Sequence, residues 1–183
     1  MPKTNVRRMC YAALLAAMYL PLSLYAAVQV GNVRISFGSL PVVVAALLFG
    51  PLDAVIVAMV GEFFKQLLTY GVTYTTALYL IPPALRGLVV GLGAALALRR
   101  GRRLEERRAL CFAVCILAAV CTTAGNTLVN WLDSVIFHYY TPALIFGDFA
   151  WRLVVGIVNA VLMASLAMPL AALLRKRNAV SGL

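Results

Sequence analysis

The sequence predicts an all-α integral membrane protein, built as a bundle of six transmembrane helices. Of its 183 residues, 63% are hydrophobic and only 12% are charged, whereas soluble domains are about 45–50% apolar and about 25% charged. The charged residues also cluster between long uncharged stretches, which is the pattern of membrane spans with charged ends. No region has the composition of a soluble domain, so residues 1–183 are predicted to form a single membrane domain.

Six apolar runs define the predicted spans. They cover about 9–30, 36–50, 52–70, 74–98, 110–131 and 149–174. The first run follows a basic start like that of a signal peptide, but it is too long for a signal peptide's apolar core and is predicted to be retained. The second run is short for a perpendicular span, which takes about 20 residues. Any irregular backbone in it must therefore face protein or water rather than lipid.

Basic residues predict the orientation of the bundle. They precede the first run, cluster in the stretch 99–108 and follow the last run at 175–177. Because Lys and Arg are enriched in cytoplasmic loops, both termini and the 99–108 loop are predicted to be cytoplasmic, with the chain crossing the plasma membrane six times. Contacts with membrane lipid then account for the net charge of +10, and nucleic-acid binding is not expected.

Ionisable residues inside spans are costly and tend to mark function. Glu62 and Lys65 lie three residues apart in the third span, so they can share a helix face and neutralise each other. Arg86 follows a Pro-Pro pair in the fourth span and has no local partner, which makes it a candidate for binding an anion or a partner elsewhere in the bundle. Arg34 lies where the chain re-enters the membrane. It either anchors the interface or binds a carboxylate through two hydrogen bonds.

Two amides and an indole cluster near the end of the fifth span. Asn126 and Asn130 are four residues apart, and Trp131 follows directly. These amides can bind the edge of a heteroaromatic ligand while Trp131, with nearby tyrosines such as Tyr74, stacks on its face. The alternative is a set of interhelical hydrogen bonds with Trp131 in the aromatic belt of the membrane interface.

Catalytic chemistry is poorly supported by the sequence. The single histidine, His138, lies in a loop, and no zinc-protease, serine-hydrolase or P-loop motif is present. The four cysteines (Cys10, Cys111, Cys115 and Cys121) form no C-x-x-C pair and are expected to pack as small apolar residues. The chain is therefore predicted not to be an enzyme and to hold no cofactor or metal. Uphill transport would need energy from a partner or an ion gradient.

The first span carries small residues at four-residue spacing. Ala12 pairs with Ala16, and Ala13 pairs with Ala17. Such faces let another helix approach closely in lipid. They serve either packing inside the bundle or docking to another membrane protein.

Three stretches carry a resemblance to a known family. They are V-R-I-S-F-G-S-L-P at 33–41, L-F-G-P at 48–51 and A-L-R-G-L at 84–88. With these stretches, its alanine spacing and its size, the chain resembles the S component, or substrate-capture subunit, of an energy-coupling factor (ECF) transporter, with the best match to the folate-type S components. The resemblance covers nearly the whole chain.

The resemblance implies a six-helix bundle with a vitamin pocket near its outer face, closed by the loop between the first two helices. It also implies docking onto a membrane scaffold, the T component, which carries two ATP-binding-cassette (ABC) ATPases. The docking surface would be formed by Ala12, Ala13, Ala16 and Ala17.

Folate or a similarly anionic vitamin is the expected substrate, with Arg34 and Arg86 holding its carboxylate. The stretches 62–65 and 71–83 depart from the folate-type pattern near the expected pocket. Pantothenate or a modified-purine precursor are therefore alternative substrates. Outside transport, the chain could be a structural membrane protein that uses the same helix faces only for packing.

Overall fold

The structure, a computed structural model, describes residues 6–30 and 33–176. Its elements are α1 (Val6–Leu24), β1 (Ala27–Val30), β2 (Val33–Ser36), α2 (Ser39–Phe49), α3 (Pro51–Tyr70), α4 (Ile81–Arg99), α5 (Arg108–Ile136), α6 (Pro142–Phe146) and α7 (Phe149–Lys176), with 3-10 turns at Leu78–Leu80 and Leu104–Glu106. Apart from one short β-hairpin, the described chain is helical, as the sequence predicts.

Three of the described helical segments are long and apolar enough to cross a membrane: the segment Leu78–Arg99, which includes α4, together with α5 and α7. The helices α1 and α2 are apolar but shorter. The helix α3 has 20 residues and contains three ionisable side chains, Asp53, Glu62 and Lys65. The helical membrane character is therefore clear, and a count of six crossings stays a prediction.

The helix α2 lies at the centre of the bundle. It contacts α1, α3, α4 and α7, and all of its residues except Leu40 are buried. Its sequence lacks a polar face, as expected for a helix surrounded by protein on all sides. Eleven residues span only about 16 Å, roughly half the hydrocarbon thickness of a bilayer. The neighbouring helices thus enclose this short predicted span.

A break separates α2 from α3 at Gly50. Its φ of 91° is disfavoured for residues with a side chain, and Pro51 then begins α3, where the first turn tolerates proline. Two arginines satisfy carbonyls left open by this break. Arg8 donates to the Phe49 carbonyl oxygen at 2.9 Å and also pairs with a carboxylate of α3, and Arg175 of α7 donates to the Leu47 carbonyl oxygen.

The boundary between the first two predicted spans is corrected by the structure. The prediction extends the first span to Val30, but α1 ends at Leu24 and the following residues form an antiparallel hairpin that pairs Ala27 with Ser36 and Val30 with Val33. The segments Val-Gln-Val and Val-Arg-Ile alternate β-branched and polar residues, which is the period of a strand. Counting apolar residues alone did not separate this period from that of a helix.

Other boundaries shift by a few residues. The helix α4 begins at Ile81 rather than 74, because Pro82 and Pro83 occupy its first turn, where proline is tolerated. The helix α5 continues to Ile136 rather than 131, so Asp133 and its neighbours belong to the helix and not to the loop that the sequence predicts. The helix α7 ends two residues later than predicted.

Candidate functional site

A cavity of about 710 Å³ lies at one end of the bundle. Its wall is formed by the C-terminal halves of α1, α3 and α5, by the N-terminal parts of α4 and α7, and by β2. Small-molecule pockets have volumes of about 300–1,000 Å³ and lie preferentially between helices in bundles. The cavity is therefore large enough for a ligand with several rings.

The opposite end of the bundle is basic. Arginines lie at the start of α1, between α4 and α5, and at the end of α7. The cavity is formed by the other ends of these helices, so it opens away from the predicted cytoplasmic side. The hairpin between α1 and α2 lies at the cavity end, where Ser36 of β2 contributes to the wall.

Glu62 of α3 is the centre of a buried polar cluster in the cavity wall. Tyr19 of α1 donates its hydroxyl to Glu62 Oε2 at 2.6 Å, and Gln66 Nε2 donates to Glu62 Oε1 at 3.0 Å. Lys65 Nζ lies 2.8 Å from Oε1 and 3.2 Å from Oε2 of Glu62. The pairing of Glu62 with Lys65 that the sequence predicts is confirmed, and Tyr19 joins it from another helix.

One face of α5 supplies the opposite wall. Its residues recur every three or four positions, which places them on one side of the helix: Thr122, Asn126, Asn130, Asp133 and Phe137. Tyr79, another lining residue, donates its hydroxyl to Asn130 Oδ1 at 3.4 Å. The wall therefore presents amides, a carboxylate and aromatic rings together.

Asp133 also binds a tyrosine of the loop after α5. Tyr139 donates its hydroxyl to Asp133 Oδ2. This hydrogen bond, with partial desolvation and the negative charge of Asp133, raises the pKa of Tyr139 to about 12. Tyr139 therefore stays a neutral donor throughout the physiological pH range and fixes the orientation of the Asp133 carboxylate.

Arg86 lies on the floor of the cavity and makes no hydrogen bond or ion pair with any residue in the described part of the chain. It also lines a small adjoining void of about 10 Å³, enough for one water molecule. Two polar atoms beside this void, Ser39 Oγ and Asn159 Oδ1, are buried and have no hydrogen-bond partner among the described residues. Because buried polar groups are normally satisfied, the floor offers polar groups for water or ligand.

The charges of the described lining residues balance. Glu62 and Asp133 are opposed by Lys65 and Arg86. With tyrosine rings and amides alongside, the wall is suited to a planar heteroaromatic molecule that carries little net charge or a single carboxylate. In the described ranges, no group of three or more His, Cys, Asp or Glu residues is placed to hold a metal ion.

The predicted binding residues divide into two groups. Arg86, Asn126 and Asn130 line the cavity. Trp131 and Tyr74 are not among its described lining residues, and they are 38% and 98% exposed. Trp131 follows Asn130 by one position, which turns its side chain about 100° away from the amide face.

Arg34 lies in β2, paired in register with Gln29. Its side chain is outside the part of the structure that is described, so its expected contact with a carboxylate stays a prediction.

Several cavity residues escaped the sequence analysis. Tyr19, Gln66, Tyr70 and Asn159 belong to the wall, and Asp133 was assigned to a loop. A signal for two of them was present, because Glu62, Gln66 and Tyr70 recur at four-residue spacing. On α5 the same four-residue spacing connects Thr122 with Asn126 and Asn130, and Asp133 follows Asn130 by three residues.

The two alanine pairs of α1 have different surroundings. Ala12 and Ala16 pack against the buried core, so they serve packing within the bundle. Ala13 and Ala17 are exposed. They lie beside Leu14, which is 58% exposed, on a surface of α1 that no described element covers.

Comparisons with known proteins agree on one kind of protein. Residues 3–176 match the model of a family described as the ECF-type riboflavin transporter, S component. A crystal structure of FolT bound with folic acid is similar in fold, with a TM-score of 0.64, 19% sequence identity, and coverage of 92% of this chain and 94% of that one. The S component of a bacterial ECF transporter has a TM-score of 0.66 at 19% identity, with coverage of 92% and 98%. No curated protein sequence matches the chain significantly.

Proposed function

The chain belongs to the family of ECF-type riboflavin transporter S components, and we propose from this premise that it captures a planar heteroaromatic vitamin for an ECF-type importer. The family is one of transporter components and not of enzymes. The observation that carries the proposal is the cavity of about 710 Å³ at the end opposite the basic loops, walled by tyrosines and amides. Vitamins with fused rings present flat faces for the tyrosines and polar edges for the amides.

Riboflavin is the first candidate substrate. The family's name supports it. The described lining residues, with two carboxylates and two cations, also favour a ligand without a strong net charge. The isoalloxazine ring of riboflavin is neutral and carries carbonyl and N–H groups along one edge. Asn126 and Asn130 can both donate to and accept from such an edge.

Folate is the second candidate, supported by one feature of the cavity. Arg86 has no carboxylate partner in the described chain, so it can hold an anionic group of the ligand. The similarity in fold to FolT with folic acid agrees with this choice. Folate carries two carboxylates. Because Glu62 neutralises Lys65, Arg86 is the main described cation that can bind them, and folate therefore ranks behind riboflavin.

Binding to the full chain, purified in detergent, tests the proposal. Titration calorimetry with riboflavin, folate and pantothenate compares the three ligands, and quenching of flavin fluorescence gives an independent readout for riboflavin. Saturable binding of riboflavin or folate at one site per chain, not displaced by pantothenate, is the expected result. A folded protein that binds none of these vitamins would contradict the proposal and favour a structural role.

Loss of Arg86 is expected to weaken this binding. Replacing Arg86 with alanine removes a charged donor from the cavity floor, and such hydrogen bonds contribute about 1.5–3 kcal/mol, so affinity for the bound vitamin should fall roughly tenfold to a hundredfold. The matched control is Arg152→Ala, which removes an arginine of α7 that is not among the described lining residues. Equal affinities for the two variants would show that Arg86 does not contact the ligand.

The orientation and the partners follow from the same proposal. The basic end, with both termini, lies in the cytoplasm, the cavity faces outward, and the chain spans the plasma membrane as a six-helix bundle. Energy comes from a T component with two ABC ATPases, which docks on the exposed alanines of α1. Ala12 and Ala16 act inside the bundle, so Ala13 and Ala17 form the docking surface.

A bulky residue on this surface is expected to prevent docking to the T component without changing the affinity for the vitamin. Ala17→Trp should abolish co-purification with the co-expressed T component and ATPases while vitamin affinity stays within about twofold. Ala17 is exposed and, two residues before Tyr19, lies on roughly the opposite side of α1 from the cavity wall. Ala124→Trp, at an exposed alanine of α5, is the matched control. If both variants co-purify like the unmodified chain, α1 does not carry the docking surface.

A further inference from the structure

A second concave feature lies at the basic end, between the last turn of α4 and the start of α5. This groove has a volume of about 160 Å³. Its floor is apolar and includes Leu96, Leu110 and Val114. Its mouth is formed by Arg100, Arg102 and Arg107. We call it the arginine groove.

The arginines of the groove are not neutralised by the chain. All three are exposed, and in the ranges 6–30 and 33–176 their side chains make no hydrogen bond or ion pair. The two nearby carboxylates bind other groups. Glu105 binds Arg175 at 3.0 Å, and Glu106 accepts a hydrogen bond from the backbone N–H of Arg103 at 3.4 Å.

The floor of the groove continues onto the outer surface of the bundle. Leu96 is 57% exposed, and Leu92, one turn earlier on α4, is 47% exposed. On α5, Leu110 and Leu117 are 38% and 56% exposed. In a membrane-spanning bundle, such a surface faces hydrocarbon. The arginines lie where these two helices reach their basic ends, which in the proposed orientation is the side of the cytoplasmic headgroups.

We propose that the arginine groove is a binding site for an anionic phospholipid. The phosphate group lies among Arg100, Arg102 and Arg107, and one acyl chain lies along Leu96, Leu110 and Val114. The occupant has to combine negative charge with a long apolar chain, because the groove combines three unpaired cations with an apolar floor. Basic pockets between transmembrane helices on the cytoplasmic side bind lipid headgroups by this chemistry. The site is distinct from the vitamin cavity and does not rest on the vitamin's identity.

Native mass spectrometry of the full chain can test the proposal. The chain is titrated in detergent with phosphatidylglycerol, with phosphatidylcholine of the same acyl chains, and with inorganic phosphate as a competitor. The groove variant R100Q/R102Q/R107Q removes the three cations. The control variant R99Q/R103Q/R108Q removes the same charge from the same loop at arginines that do not line the groove.

One phosphatidylglycerol should bind per chain at least tenfold more tightly than phosphatidylcholine, and millimolar phosphate should not displace it. The groove variant should lose this preference, and the control variant should keep it. Size-exclusion chromatography and unchanged vitamin binding would show that both variants fold. A second variant, Leu110→Gln, should weaken lipid binding with all arginines present.

Three results would overturn the proposal. Equal loss in the two triple variants would mean that diffuse charge attracts the lipid. Displacement by phosphate, or no effect of Leu110→Gln, would mean a site for free anions. If the groove variant still bound phosphatidylglycerol but no longer bound the T component, the three arginines would contact that protein and not a lipid.

Discussion

Replacing Glu62 with alanine is expected to destabilise the folded protein by about 3–5 kcal/mol, the range for breaking a buried ion pair from one side. Glu62 is 5% exposed and accepts hydrogen bonds from Tyr19, Lys65 and Gln66. Its removal leaves the Lys65 charge without a counterion, with only 26% of that side chain exposed. The buried Tyr19 hydroxyl loses its acceptor as well. The midpoint of thermal unfolding in detergent measures the loss.

A double-mutant cycle separates charge from packing in this cluster. Lys65→Met alone leaves the Glu62 carboxylate without its cation and should also destabilise the protein. The double variant Glu62→Ala/Lys65→Met removes both charges, so it should be more stable than the sum of the two single losses predicts. Glu106→Ala is the control, because that carboxylate is exposed and, among the described residues, accepts a hydrogen bond from a backbone N–H group alone. It should change stability by less than about 0.5 kcal/mol. Unfolding of Glu62→Ala at the same temperature as the control would refute the role of the cluster.

The helical membrane fold was predictable because hydropathy is a property of each segment by itself. The predicted spans 52–70 and 149–174 agree with α3 and α7 to within two residues. The family prediction is also confirmed by the match over residues 3–176, whereas the folate-type assignment stays a prediction. The hairpin was missed because Val28 and Val30 count as apolar in any window. Only their alternation with Gln29 distinguishes a strand from the end of a span.

The site was predictable where it depends on one helix and not where it depends on several. Glu62 and Lys65 are neighbours on α3, and their pairing follows from three-residue spacing. Tyr19 meets Glu62 only after α1 packs against α3, and no local pattern indicates that contact. Trp131 shows the converse situation. It is close to Asn130 in sequence, but the rotation of α5 directs it elsewhere.

The second large effect is expected at the helix break on the basic side of the bundle, where Arg8 and Arg175 bind carbonyl groups at the end of α2. A Cβ added at Gly91 of α4 would lie 2.3 Å from Pro51 Cα and 2.7 Å from Pro51 N. These are backbone atoms at the start of α3, held by the break at Gly50, and they cannot rotate away as a side chain can. Gly91→Ala should therefore cost about 3 kcal/mol, at the upper end for overpacking, despite the gain of about 1 kcal/mol in helix propensity. The unfolding midpoint in detergent and the yield of monomeric protein measure it.

Gly125→Ala is the matched control for this prediction, because it makes the same change in a buried helical glycine. There the new Cβ would meet the end of the Leu85 side chain at 3.0 Å, which can move, so the gain in helix propensity should offset most of the contact. Equal stability of the two variants would mean that α4 can shift away from Pro51. That outcome would also weaken the account of the helix break, because α3 can begin beside Gly91 only if Pro51 holds a fixed position against α4. The contact of Gly91 with Pro51 thus connects the helix break to the placement of two cavity residues, Glu62 later on α3 and Arg86 earlier on α4.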